Sequence, residues 1–174
     1  MFEYDDEYPS CRRTYATFRL FSSTATPEEI GRALLCEPTD THHRGDRVSS
    51  RSNPRANASS TSEARGRGTT RRREPEGRPT RYAVRPTHGW FLSTEAALAS
   101  KDTRRHLDWL LDRLEPRAAE LAELLANGAE ADIFCFWASA RGQGGPTLSP
   151  PQMRRLASLQ LSCSYDCYGP DDEV

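Results

Sequence analysis

Residues 44–80 form a long stretch that cannot contribute to a hydrophobic core. The stretch is rich in Arg, Ser, Gly, Pro, Asn and Thr, and Val48 is its only large aliphatic residue. So little apolar surface cannot offset the conformational entropy that is lost when a chain becomes ordered. We therefore expect a disordered loop here, and a fold assembled from the residues on either side of it.

The same stretch divides the charge of the chain unevenly. Between Arg44 and Arg85 there are twelve arginines and four acidic residues, a local charge of +8, whereas the whole chain of 174 residues has a formal charge of −1. The remaining residues therefore carry −9. The sequence predicts an acidic body that is interrupted by a basic insertion, residues 48–81.

Alternating apolar and polar residues predict strands on both sides of the insertion. The pattern is found in residues 14–22, 89–93 and 161–168. Residues 132–138 are apolar on both faces of a strand, which favours a central strand that is covered on both sides. The sequence therefore predicts about four strands.

Helices are predicted by capping motifs and by leucine spacing. Thr26-Pro27-Glu28-Glu29 has the pattern of a capping box with proline in the first turn, and Ser149-Pro150-Pro151-Gln152 repeats it. We expect the second of these helices to bury Met153, Leu156, Ala157 and Leu159. Residues 103–127 keep leucines in one helical phase, with a kink or a break at Pro116 and a stop at Asn127-Gly128.

Together these elements predict an α+β domain of two layers, a sheet of about four strands with the helices on one face, plus the disordered Arg-rich loop. The domain spans residues 14–170 and is interrupted at 48–81. Residues 1–13 and 171–174 are expected to be acidic tails. The sequence contains neither an apolar run of membrane-spanning length nor the pattern of a signal peptide, which predicts a cytoplasmic protein with no membrane contact.

The cysteines also favour a reducing compartment. They are odd in number, and several lie inside apolar strand-like runs, so we expect reduced thiols: Cys11, Cys36, Cys135, Cys163 and Cys167.

Three stretches carry a resemblance to a known family. They read TPEEIGRALLCEPTDTHHRGD, then GWFLST followed by HLDWLLDRLEPRAAELAELLANG, then ADIFCFWASARGQGGPTLSPPQMRRLASLQLSCSYDCYG. In these stretches the chain resembles the bacterial domain-of-unknown-function family 4279. The resemblance implies a small domain and supplies no catalytic residues. It also implies that the Arg-rich stretch is an insertion, because the family passes from the Gly-Asp region to the tryptophan strand with a shorter connection.

The first and last predicted strands offer a candidate binding surface. If the helices cover one face of the sheet, the polar and aromatic side chains on the other face are open to a partner. These are Tyr15, Thr17, Arg19, Ser162, Ser164, Asp166 and Tyr168. An ordinary solvated sheet face would have the same composition.

The histidines supply an alternative from another class, a small-ligand or metal-dependent enzyme. A zinc site needs three or four ligands, and a loop could bring together His42, His43, Asp46 and His88. Solvated loop histidines explain the same residues, so we predict neither catalytic residues nor a cofactor.

The insertion supplies a further alternative, binding of nucleic acid. Arginine pairs with phosphates, and the densest group comprises Arg65, Arg67, Arg71, Arg72 and Arg73. Because the insertion has no interleaved aromatic residue before Tyr82, it offers no base stacking.

The leading hypothesis is therefore a non-catalytic module that binds a protein partner, with an immunity or antitoxin-like role among the possibilities.

Overall fold

The computed structural model describes residues 3–48 and 83–170. The strands are β1 (Cys11–Ser22), β2 (Asp40–His42), β3 (His88–Ser93), β4 (Glu130–Ser139) and β5 (Ser162–Tyr168). The helices are α1 (Pro27–Leu34), α2 (Thr103–Leu114), α3 (Ala118–Ala126) and α4 (Pro150–Ser158). A single 3-10 turn, Glu115–Arg117, joins α2 to α3. None of the helices in the described ranges is long and apolar enough to cross a membrane.

The strands form one mixed sheet in the order β2-β3-β1-β4-β5. β1 pairs antiparallel with both β3 and β4, β2 pairs antiparallel with β3, and β5 pairs parallel with β4. The predicted α+β class is confirmed, with five strands instead of about four. The additional strand, β2, has three residues, which is too short to show an alternating pattern.

The core lies between one face of the sheet and the helices. Ala16, Phe18 and Leu20 of β1 are fully buried there. They pack in one cluster with helix residues that are also almost fully buried, among them Ile30, Leu34, Leu107, Leu110, Leu111, Leu114, Leu121 and Leu156. All four described helices contribute to this cluster, which confirms that they share one face of the sheet.

The signals for α1, for the break at Pro116 and for the end of α3 are realised as predicted, whereas the side chain of Ser149 makes no capping hydrogen bond to α4. Thr26 Oγ1 accepts the backbone N–H of Glu29 at 3.4 Å, and Glu29 Oε2 accepts the backbone N–H of Thr26 at 2.8 Å, so the capping box is complete. Pro116 lies in the 3-10 turn that divides the leucine-rich segment into two helices. Gly128 ends the second helix with a φ of +85°, a value that favours glycine.

The prediction for α4 was wrong in part. Met153 is 51% exposed and Ala157 is also exposed, whereas Gln152 is buried. The reason is that α4 packs on α2 through polar bonds: the Gln152 amide donates to Asp108 Oδ2 at 2.6 Å. A buried face predicted from the apolar residues of α4 alone is therefore rotated about the helix axis, away from the face that contacts α2.

Arg155 is the centre of this polar contact. Its guanidinium donates to Asp108 Oδ1 at 2.6 Å, to Asp112 Oδ1 at 2.6 Å and to Glu115 Oε1 at 2.7 Å. The hydrogen bonds to Glu115 raise the pKa of Arg155 above its ordinary value, since they stabilise the charged form. One cation from α4 thus holds three carboxylates of the α2 region.

The expectation that β4 is covered on both sides was also wrong. Ile133, Cys135 and Trp137 are buried on the helix side, while Phe134 and Phe136 lie on the opposite face. No described helix packs there. Phe136 is nevertheless only 6% exposed because side chains of the neighbouring strands cover it.

β1 begins three residues before the predicted start of the domain, and the residues that precede it contact α2. Tyr4 donates its hydroxyl to Asp108 Oδ2 at 2.8 Å, and the backbone N–H of Asp5 donates to Asp102 Oδ2 at 2.9 Å. Residues 1–2 and 171–174 of the predicted tails lie outside the described residues, as does all but the first residue of the predicted insertion.

His106 joins the helix layer to the sheet from inside the core. It is completely buried, its Nε2 donates to the Ser100 carbonyl at 2.8 Å, and its Nδ1 forms a hydrogen bond of 2.7 Å with the Thr94 hydroxyl. Thr94 Oγ1 in turn accepts the backbone N–H of Ala16 at 2.9 Å. Burial lowers the pKa of His106 below its ordinary value, so the neutral ring is the form that fits.

We expect this histidine to make the fold less stable in mild acid. Below the unfolded pKa of about 6.5 the unfolded chain takes up a proton that folded His106 resists. The free energy of unfolding should therefore fall from pH 6.5 downward until the lower folded pKa is passed. In urea unfolding at pH 7.5 and 5.5, wild type should lose more stability than His106→Gln. An ordinary pKa for the His106 ring in an NMR titration of the wild type would contradict this.

Replacement of Arg155 should weaken the attachment of α4. Arg155→Met leaves three neighbouring carboxylates without their shared cation, and we expect a loss of about 2 kcal/mol of unfolding free energy. Arg154→Met is the matched control, because Arg154 is exposed and its removal should change the stability by less than about 0.5 kcal/mol. Equal losses in the two variants, measured by urea denaturation, would show that the network does not stabilise the fold.

Candidate functional site

The side of the sheet opposite the helices, here called the open face, carries all seven residues that the sequence proposed for binding. Tyr15, Thr17 and Arg19 lie on it in β1, and Ser162, Ser164, Asp166 and Tyr168 lie on it in β5. The two groups are not adjacent, because β4 runs between them. Thr17 pairs with Phe134, which pairs with Ser164, so each row across the surface includes a β4 residue.

Three of these open-face rings form an aromatic row, Tyr15, Phe136 and Tyr168. The rings of Tyr15 and Phe136 are stacked, with centroids 4.9 Å apart and an interplanar angle of 8°. The centroids of Phe136 and Tyr168 are 5.1 Å apart. Because Phe136 is held between two neighbours, its ring faces are covered, and the row presents ring edges and hydroxyl groups to solvent.

Charged groups border the aromatic row at both ends. Arg13 forms an ion pair with Glu95, and its guanidinium lies 5.5 Å from the Tyr15 ring centroid. At the other end Tyr168 donates its hydroxyl to Asp166 Oδ2 at 2.7 Å. Burial raises the pKa of the Tyr15 phenol, so this ring stays neutral beside the ion pair of Arg13 and Glu95.

Arg19 occupies the middle of the open face. Its Nε and one terminal nitrogen donate to the two carboxylate oxygens of Asp132, at 2.8 and 2.6 Å. The same guanidinium lies 4.6 Å from the ring centroid of Phe134. This bidentate pair neutralises the arginine and fixes its plane over the ring.

A second aromatic group lies near the β2 edge of the open face. Phe21 and Phe91 meet edge to face at 5.6 Å, and the His42 ring lies 5.5 Å from Phe91. A Cβ at position 89 would collide with the His42 imidazole, so glycine is needed there for the close approach. Burial lowers the pKa of His42, which favours a neutral ring.

The histidines proposed as metal ligands are divided between two surroundings. His42 belongs to the aromatic group, whereas His43 and His88 contact one another edge to face at 5.6 Å. Asp46 Oδ2 accepts the backbone N–H of His43 at 2.6 Å, and His43 Nε2 lies 3.4 Å from Glu28 Oε1. Across residues 3–48 and 83–170, no group of three or more His, Cys, Asp or Glu side chains is arranged to hold a metal ion.

Several residues of the open face were not proposed from the sequence: Arg13, Asp40, Phe91, Glu95, Asp132, Phe134 and Phe136. The signal that could have found the β4 residues is the run Asp132 to Phe136, whose alternate members share one face of a strand. That run was interpreted as a buried strand, because phenylalanine on the exposed side of a sheet has the same sequence pattern as phenylalanine in a core.

The arginines proposed to contact nucleic acid lie outside the described residues. They are Arg65, Arg67, Arg71, Arg72 and Arg73. The described ends of the chain on either side are held together, because Arg47 and Val84 form an antiparallel bridge. The N–H of Val48 also donates to the carbonyl of Ala83 at 2.9 Å.

A comparison with protein families identifies the chain. Residues 12–67 and 62–170 match the model of a family described as "Domain of unknown function (DUF4279)". The chain belongs to the DUF4279 family. The resemblance inferred from the three sequence stretches is thereby confirmed. No curated protein and no solved structure matches the chain.

The open face of this DUF4279 protein resembles a protein interface in the types of side chain that it carries. Aromatic edges, hydroxyl groups and paired charges lie together there, and arginine and aromatic side chains are enriched at protein interfaces. A stacking platform for nucleic-acid bases would need exposed ring faces. Phe136 has none, because the rings on both sides cover it.

The stacking in the aromatic row should be measurable as stability. Phe136→Ala removes a ring that is 6% exposed, and we expect a loss of about 3 kcal/mol of unfolding free energy. Phe136→Leu keeps most of the apolar volume and should cost about 1 kcal/mol, the loss being that of the stacked contacts. Chemical denaturation of both variants tests this, and similar losses would show that ring stacking contributes little.

Proposed function

We propose that this DUF4279 protein is a non-catalytic binding module whose open face holds a positively charged protein partner. It works in the cytoplasm as an immunity or antitoxin-like protein, which masks a basic partner by covering its surface. The five cysteines are free thiols, which supports a reducing compartment.

The observation that carries the proposal is the aromatic row on a sheet face that no described helix covers. Tyr15, Phe136 and Tyr168 lie in one row, with Arg13 beside it and Arg19 over the neighbouring ring of Phe134. Rigid aromatic groups next to arginine form the energetic centre of many interfaces.

The charge of the surface supports a basic partner. Both arginines on the open face are already paired, Arg13 with Glu95 and Arg19 with Asp132. Further carboxylates, Asp40 and Asp166, lie on the same face and take part in no ion pair with a described residue. A positive surface would therefore meet complementary charge, which speeds association and selects against acidic competitors.

The placement of the histidines gives the enzyme alternative less support. His42 contacts Phe21 and Phe91 on the open face, while His43 and His88 lie in a separate group beside Glu28. A catalytic or metal site would require these side chains to converge on one point.

Affinity capture with surface variants tests the binding role. Full-length protein should retain a stoichiometric partner from a lysate of its source, including products of neighbouring genes. Ser164→Arg adds a positive charge in the exposed middle of β5, and we expect at least about a tenfold loss of affinity for that partner. Met153→Arg is the matched control on the helix side, where the native side chain is 51% exposed, and it should bind normally.

Two outcomes would overturn the proposal. Retention of no stoichiometric partner by the wild type is the first, and equal binding by Ser164→Arg and Met153→Arg is the second. A form that lacks residues 48–81 separates the insertion from the body. If only the full-length form retained its partner, the insertion and not the open face would carry the function.

A further inference from the structure

A depression of about 430 Å³ lies on the open face, between the middle of β1 and the loop that follows β3. Its walls include three half-buried rings, those of Tyr15, Phe91 and Phe134. The rest of the lining comprises hydroxyl groups, two carboxylates, one guanidinium group and one alanine: Thr17, Thr39, Ser93, Asp40, Glu95, Arg19 and Ala96. The depression is thus aromatic at its sides and acidic at its rim.

The polar lining is held in place before anything binds. Thr17 donates its hydroxyl to Ser93 Oγ at 3.1 Å, and Ser93 Oγ also accepts the backbone N–H of Glu95 at 3.2 Å. Thr39 Oγ1 accepts the backbone N–H of Ser93 at 2.9 Å. These bonds fix the hydroxyl groups in the lining. Thr17 and Thr39 can each accept a further hydrogen bond without reorganisation, whereas Ser93 Oγ already accepts two.

The charges around the depression leave one carboxylate without a cation. Arg19 is held by Asp132 and Arg13 by Glu95, so the positive groups near the depression are neutralised. Asp40 accepts the backbone N–H of Thr41 at 2.9 Å, and no described Arg, Lys or His side chain forms an ion pair with it. Its exposed carboxylate is available to an incoming positive group.

A guanidinium group matches this combination of features. It is planar, it stacks on aromatic rings, and it donates two parallel hydrogen bonds to a carboxylate. An ammonium group is not planar, so it cannot stack on a ring in this way or donate two parallel hydrogen bonds to a carboxylate. An anion would meet Asp40 and Glu95, and the one cation in the lining, Arg19, is already paired with Asp132.

We propose that this depression holds an arginine side chain of the partner, packed against the rings of Tyr15 and Phe91 and bound through Asp40. The inference rests on the proposed function, because it names the partner's chemistry at the open face. It goes beyond that proposal in assigning one residue type to one place on the surface. The site accepts arginine in preference to lysine.

Peptide titration of the full-length protein tests this assignment. The probe is a blocked five-residue peptide with one arginine between glycines, and its controls carry citrulline or lysine at the same position. In NMR spectra of labelled protein, the arginine peptide should shift the amides of Asp40, Ser93 and Glu95. The citrulline peptide keeps the planar shape but has no charge, and should bind about fivefold more weakly or worse.

Asp40→Asn tests the carboxylate. Asparagine keeps an oxygen for the Thr41 N–H, so the variant should fold normally, and it should bind the arginine peptide about fivefold more weakly. Glu130→Gln is the matched control, since Glu130 is exposed on the open face outside the depression. Its affinity for the peptide should equal that of wild type.

Three results would overturn the assignment: no shift at the named amides, equal affinity for arginine, lysine and citrulline peptides, or equal weakening by Asp40→Asn and Glu130→Gln. Its failure can be told apart from failure of the proposed function. A partner that is lost in Ser164→Arg but bound normally by Asp40→Asn leaves the binding module in place and removes the arginine site. If the arginine peptide binds at Asp40 but the protein captures no partner, the arginine site stands and the proposed binding module fails.

Discussion

The double pairing of β1 is the constraint on which the rest of the molecule depends. This strand of twelve residues pairs with β3 on one side and β4 on the other, and its side chains alternate between two environments. Ala16, Phe18 and Leu20 enter the core, while the residues between them form the middle of the open face. A shift of one residue in its register would exchange the two sets, so the core specifies which residues form the open face.

Features with a local physical cause could be predicted from the sequence. A capping box needs only four residues, Pro116 removes a backbone donor wherever it stands, and leucines at helical spacing must share one face. Features that depend on a distant partner could not be predicted. β2 exists because β3 offers it an edge, and Gln152 is buried because Asp108 accepts its amide.

The candidate site was predicted along its borders but not at its centre. Alternation places Tyr15 and Asp166 on one surface, yet the apolar pattern of the strand between them predicts buried core. The physical reason is that Phe136 is buried without a second layer, by Tyr15 and Tyr168 within its own sheet. Sequence periodicity reports how much a side chain is buried, and it does not report which neighbours bury it.

The bridge between Arg47 and Val84 determines how well the fold tolerates a longer connection between these two residues. The two residues pair with one another, so the described chain on either side is held together whatever the length of chain that leaves and returns there. Doubling the length of a flexible connection adds only about 0.6 kcal/mol of closure entropy. A longer connection between Arg47 and Val84 should therefore cost little stability. A reporter domain or an affinity tag could be inserted there at little cost in the free energy of unfolding.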